Sequence, residues 1–304
     1  MPVDVNPWAF RPHPEVWLLV AFLVGAYIYM VRVIGPRAAR LAGGPVIERR
    51  HWVAFGVGMA VLWVASDWPL HDISEDYLYS AHMVQHMLLS YVMPPLALLA
   101  TPVWLARTLV GTGRVYAVVR FFSKPVVAGV LFNFCVIMLH TPVLVNVAVD
   151  GGPAIHYSLH IVVVASSLLM WMPVCGPLPE LRMGTPGTMV YLFLQSVVPT
   201  VPAGWLTFAE SAIYEAYDRP IRLWGLSVTD DQQLAGAIMK TVGGLYLWAI
   251  VIYLFFKRFA ARASEAHDYR RGSRMPAAEI TGNDDEPLTT ADVERAFARS
   301  APPS

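Results

Sequence analysis

The sequence predicts an all-α fold: a polytopic membrane protein, a bundle of seven transmembrane helices with the N-terminus outside and the C-terminus in the cytoplasm. Three observations carry that expectation. Of 304 residues, 56% are hydrophobic and only 14% charged, where a soluble domain carries about 25% charged residues. Seven apolar runs approach the roughly 20 residues needed to cross a bilayer. Lys and Arg gather in alternate linkers, the pattern by which basic loops are held on the cytoplasmic side.

In chain order, residues 1–15 form an outer N-terminal segment holding one arginine, Arg11, and several prolines. No basic stretch or small-residue cleavage site precedes the first apolar run, so no cleaved signal is expected. The spans follow at 16–35, 52–70, 78–100, 126–148, 156–174, 188–208 and 234–256, giving a membrane domain over 16–256. Arg37, Arg40, Arg49 and Arg50 follow span 1, and Arg107, Arg114, Arg120 and Lys124 follow span 3. Lys257, Arg258 and Arg262 open the cytoplasmic tail, 257–304. The intervening linkers are acidic: Asp67, Asp72, Glu75 and Asp76 after span 2, and Asp150 after span 4. Linker 5 is sparse, with Arg182 and Glu180, and linker 6 is net acidic. The tail is rich in Ala, Arg, acids and Pro and is expected to be disordered, with one short capped helix from Thr290 to Phe297.

This topology brings five of the nine histidines to one depth. Spans 3 and 5 enter from outside, so His82, His86, His156 and His160 lie in their first turns, and His140 lies near the outer end of span 4. His71 stands in the linker above them. A titratable ring in hydrocarbon is costly without a partner, so intramembrane histidines are functional candidates. For any one ring, the simpler alternative is a hydrogen bond to a backbone carbonyl or water.

Residues four apart share a helix face, so His82/His86 and His156/His160 can each present two imidazoles inward. Met83 and Met87 add thioethers on a neighbouring stripe. Imidazole with thioether suits copper, especially Cu(I), better than magnesium or calcium. The expected metal set is His82, His86, His140, His156, His160, Met83 and Met87. Haem iron is the rival, because histidines on facing helices can supply axial ligands to a b-type cytochrome.

Two further segments narrow the choice. Residues 82–89 read His-Met-Val-Gln-His-Met-Leu-Leu and lead to Pro94-Pro95-Leu96, with Thr101-Pro102 beyond. His140-Thr141-Pro142 lies toward the outer end of the fourth run, and Asp231-Gln232-Gln233-Leu234-Ala235-Gly236-Ala237-Ile238-Met239 opens the seventh. This pattern resembles the multi-spanning CtaG-type cytochrome c oxidase assembly factors, over roughly residues 16–256. The resemblance implies a multi-pass protein of the cell inner membrane that assists maturation of a haem–copper oxidase and acts on oxidase subunits as a chaperone. Copper at the histidine cluster is the chemistry the residues themselves add. Asp231 and Gln232 are then expected to orient imidazole N–H groups from the next layer outward.

One residue departs from the family pattern: Lys240 follows Met239 where tryptophan is common in relatives. A lysine inside a span needs an acid, water or a path to the interface, and Asp67, at the outer end of span 2, is the expected partner. Seven helices with a late lysine also invite comparison with retinal proteins. Those place an aspartate four residues earlier, where this chain has Gly236, and carboxylates on helix 3, where it has His82, Gln85 and His86.

The rest of the chain excludes more than it adds. Zero net charge argues for no nucleic-acid partner; the expected surroundings are lipid and oxidase subunits. Cys135 and Cys175 are too few for a disulfide framework. No nucleotide loop, HExxH or nucleophile elbow is present, so no enzyme is expected. Pro94, Pro95, Pro142, Pro199 and Pro202 should bend their helices.

Overall fold

The computed structural model describes residues 6–42, 45–218, 221–272, 289–291 and 293–295. Those residues are helical or irregular, with no strand among them. The chain divides into two compact units, Met1–Phe255 and Phe256–Ser304. In the first, the long helices are α1 (Pro14–Leu41), α2 (Arg49–Asp76) and α3 (Tyr79–Ala100). Shorter pieces follow as α4 (Val103–Val110), α5 (Arg114–Phe122), α6 (Pro125–Leu139) and α7 (Pro142–Asp150). Then come α8 (Pro153–Cys175), α9 (Thr185–Thr207) and the start of α10 (Val228–Gly272). Among the described residues, six helices are long and apolar enough to cross a membrane, and a seventh crossing is counted if the bent pair α5–α6 is one span.

The expected fourth span, 126–148, is therefore not one helix. α5 meets α6 at 71°, where Pro125 cannot continue the hydrogen-bond ladder of the turn before it. α6 then stops at Leu139, and Pro142 opens α7 at its first helical position, where a missing N–H costs nothing. The break leaves His140 between two helices.

Span 3 shows a milder form of the same effect. A π-helical turn at Leu88–Val92 precedes Pro94 and Pro95. It absorbs the irregular register that the prolines impose, and the Trp171 indole donates to the Ser90 carbonyl at 3.0 Å. Between apolar helices in lipid, close packing and interhelical hydrogen bonds replace the hydrophobic drive. Gly236 shows how tight the fit is. A Cβ there would lie 2.6 Å from Thr207 Oγ1 and 2.7 Å from the Ala203 carbonyl, so only glycine lets α9 and α10 approach this closely. The buried core along these helices includes Tyr79, Met83, Phe132, Trp171, Leu192, Leu206, Tyr214 and Tyr217.

In the second unit, helix α10 includes residues 257–272, so the start of the tail is helical. Thr290, Ala291 and Val293–Arg295 are also helical, while Phe297 lies outside the described residues.

Candidate histidine pocket

α3 and α8 lie side by side, and their first turns face each other across a small, partly open cavity. Its wall includes His82, Met83 and His86 from α3, His156 and His160 from α8, and His140 from the α6–α7 break. Ring centroids stand 4.4 Å apart in His82/His86 and in His156/His160. Across the gap, His86–His160 is 5.4 Å, His82–His160 5.9 Å and His82–His156 6.0 Å. His140 approaches His86 at 6.1 Å. Thus all five rings predicted to share a depth line one cavity.

They form unequal sets. One ligand atom each from His82, His86 and His160 lie within 4.8 Å of one another, as do atoms from Glu75, His156 and His160. His140 is held differently. Its Nδ1–H donates to the Val136 carbonyl at 2.6 Å, which leaves Nε2 as the lone-pair nitrogen. Buried atoms without a hydrogen bond include His82 Nδ1, His140 Nε2, both nitrogens of His156, His160 Nε2 and Glu75 Oε1. Buried polar atoms are normally satisfied, so this concentration of free donor atoms is what a pocket for a cation would present. His156 Nε2 lies 2.7 Å from Glu75 Oε1, near enough for an ion pair but off hydrogen-bond alignment.

Met83 lines the cavity but Met87 does not. Met87 lies instead beside α10, where its Sδ would be 3.3 Å from a Cβ on Gly243. The reason is angular: four residues advance about 400° along a helix, so Met87 stands about 40° further round than Met83.

Asp231 and Gln232 are corrected in role. Neither bonds an imidazole. Asp231, 2% exposed, accepts the backbone N–H groups of Tyr79 at 2.7 Å and Ser80 at 3.0 Å, and the Ser80 hydroxyl. It therefore caps α3, the helix that carries His82 and His86, where a carboxylate also meets the positive end of the helix dipole. Gln232 accepts from the N–H groups of Ile213 at 2.7 Å and Tyr214 at 3.2 Å, and donates to the Tyr214 carbonyl at 3.0 Å. The Tyr214 hydroxyl then donates to the His140 carbonyl at 2.8 Å. Burial pushes the Tyr214 phenol up to about 12, so it stays a neutral donor. The adjacent pair Asp231–Gln232 thus positions two histidine-bearing segments from one layer further out than expected.

Asp67 is corrected too. It accepts from the indoles of Trp17, at 2.8 Å, and Trp63 and caps its own break through the Trp68 N–H. It does not pair with Lys240, and it lies outside the histidine cavity. Lys240 donates to Thr200 Oγ1 at 2.5 Å and lines a separate small cavity with Tyr91, Gln195 and Ser196. It sits about 18 Å into α10 at about 1.5 Å per residue, exposed, and no carboxylate among the described residues pairs with it. Lys240→Met is expected to leave metal content unchanged and to raise the thermal midpoint. A charge at such depth costs up to about 3 kcal/mol. Unfolding in detergent beside metal analysis checks both; metal loss in this variant would tie the lysine to the site.

Sequence reading missed a second tier around the pocket. Gln85, 1% exposed, donates to the Ala65 carbonyl at 2.7 Å, accepts from Ser74 at 3.0 Å and approaches His71 Nδ1 at 3.2 Å. His71 stacks edge-on to His13 at 4.9 Å and to His156 at 6.2 Å, and His13 Nε2 is 2.9 Å from Asp72 Oδ1. Glu75 and Asp72 were legible only as linker acids, because the turn at 77–78 breaks any helical register between Glu75 and His82.

Compared with known families, residues 25–261 match the family described as cytochrome c oxidase caa3 assembly factor (Caa3_CtaG). No curated protein and no solved structure matches the chain.

Proposed function

The chain belongs to the family of cytochrome c oxidase caa3 assembly factors, and from that premise we propose that its histidine pocket carries copper for the oxidase. It is a multi-pass membrane protein that assists oxidase assembly. In this reading it catalyses no reaction of its own, sits in the cell inner membrane with its N-terminus outside, and presents the ion near the outer face to an oxidase subunit.

The observation that carries the reading is the set His82, His86 and His160, whose ligand atoms lie within 4.8 Å of one another beside the Met83 wall. Imidazole and thioether donors favour Cu(I), and exchangeable neutral ligands at a pocket mouth allow release. His140 Nε2, oriented through Val136, is the auxiliary donor. Asp231 and Gln232 hold the frame, as the carbonyls and carboxylates around metal sites do.

A haem reading with the same residues is less favoured. A macrocycle ligated between any two of these rings has to spread on all sides of the iron, and the other histidines crowd that space at 4.4–6.1 Å. The test is the metal and haem content of the detergent-purified chain. Bound copper in a protein without a Soret band is the expected result. A Soret band with stoichiometric haem would replace this reading with a b-type cytochrome.

A further inference from the structure

Glu75 gives the pocket a donor that an imidazole–thioether copper site does not require. It ends α2, with its side chain 22% exposed, while His156 beneath it is 7% exposed. The carboxylate is therefore the more accessible of these two side chains, although it is not part of the cavity wall. Neither ring nitrogen of His156 nor Nε2 of His160 makes a hydrogen bond, and His156 Nε2 stands 2.7 Å from Glu75 Oε1. With Glu75 Oε1 they supply two imidazoles and one carboxylate, with ligand atoms within 4.8 Å of one another.

This donor set differs in kind from His82, His86 and His160. A carboxylate with two imidazoles suits zinc and similar divalent cations. It also brings a formal negative charge that lowers the cost of desolvating a dication. The His82, His86 and His160 set includes no carboxylate, although Glu75 Oε1 stands 3.9 Å from His82 Nδ1, and its imidazoles beside a thioether fit a softer, monovalent ion. The two sets meet at His160, whose one free buried nitrogen is a candidate ligand in both.

We propose that Glu75, His156 and His160 form a second, entry-side position for a divalent cation of the zinc or copper(II) class. Occupation of this position excludes occupation of the His82–His86–His160 position, because His160 serves both. The proposal rests on reading the pocket as a metal site, but its cation, its ligands and its exclusivity are separate claims. A divalent ion held at Glu75 blocks copper loading until it leaves.

The test uses the full chain purified in detergent, with Co(II) as the divalent probe read by its visible absorption. Cu(I) is read by competition with a chromophoric chelator under reducing conditions. Glu75→Gln is expected to weaken Co(II) binding by about tenfold or more, on the scale seen when metal-site partners are removed, with Cu(I) affinity unchanged. His86→Ala is expected to do the reverse. Zn(II) added first should depress Cu(I) uptake in the wild type and not in the Glu75→Gln protein.

Equal Co(II) affinity in the wild type and Glu75→Gln overturns the proposal, and so does parallel loss of both ions in both variants. Two outcomes separate it from the copper reading. Glu75-dependent Co(II) binding in a chain that takes no Cu(I) sinks copper delivery and keeps the entry position. Tight Cu(I) binding with Co(II) indifferent to Glu75 does the opposite.

Discussion

Replacing His82 and His86 together with Ala is expected to lower membrane cytochrome c oxidase activity about tenfold or more, a scale taken from weakened metal sites. The variant removes two of the three rings whose ligand atoms converge within 4.8 Å, and leaves His156 and His160, with ring centroids 4.4 Å apart, as the nearest remaining pair. Neither ring carries the bundle. His82 Nδ1 makes no hydrogen bond, and α3 is capped by Asp231 whatever occupies position 82 or 86. The protein should therefore accumulate in the membrane at its usual level while oxidase activity falls. Oxidase activity, oxidase copper and immunodetected chain in the same membranes make the measurement. Normal oxidase in this variant would remove the pair from the function.

The second large effect is structural and comes from Asp231→Ala. Three donors, the N–H groups of Tyr79 and Ser80 and the Ser80 hydroxyl, lose their acceptor in one substitution. Each buried donor left unpaired costs about 1–3 kcal/mol, so the loss should amount to several kcal/mol, and the first turn of α3 should fray. His82 and His86 lie on that turn and the next, so metal affinity is expected to fall together with the thermal midpoint. Asp231→Asn keeps one acceptor oxygen but loses the charge, and should fall between the wild type and Ala in both measurements. Wild-type unfolding and metal loading in the Ala variant would mean that α3 needs no cap from α10.

The contrast between these residues shows why some of the site was legible and some was not. His82/His86 and His156/His160 announce themselves through spacing, since i and i+4 share a helix face. Their common depth follows from the order of the spans. The Asp-Gln entry to α10 is equally visible, yet its partners are 152 and 18 residues away in the chain, and no local pattern names them. Glu75 carried no signal beyond its charge. Met83 and Met87 look equivalent in sequence and differ in space because the offset of about 40° over four residues leaves Met83 on the cavity and Met87 beside Gly243 of α10. Lys240 drew attention by its cost in a membrane. Its distance from any acid followed from packing, because α9 brings Thr200 to it while Asp67 is taken by two indoles.

By itself the sequence determined the class of protein, the apolar segments, the helix faces that bear histidine and the places where proline must break a helix. These are properties of a few adjacent residues: hydropathy, spacing and the missing N–H of proline. Only the tertiary structure decided that the five rings share one cavity, that four of them fall into two sets joined at His160, and that Glu75 belongs to one of these. Periodicity fixes which residues face the same way on one helix, but the rotation of each helix against its neighbours is set by close packing. That packing rests on contacts as specific as Gly236 against the Ala203 carbonyl.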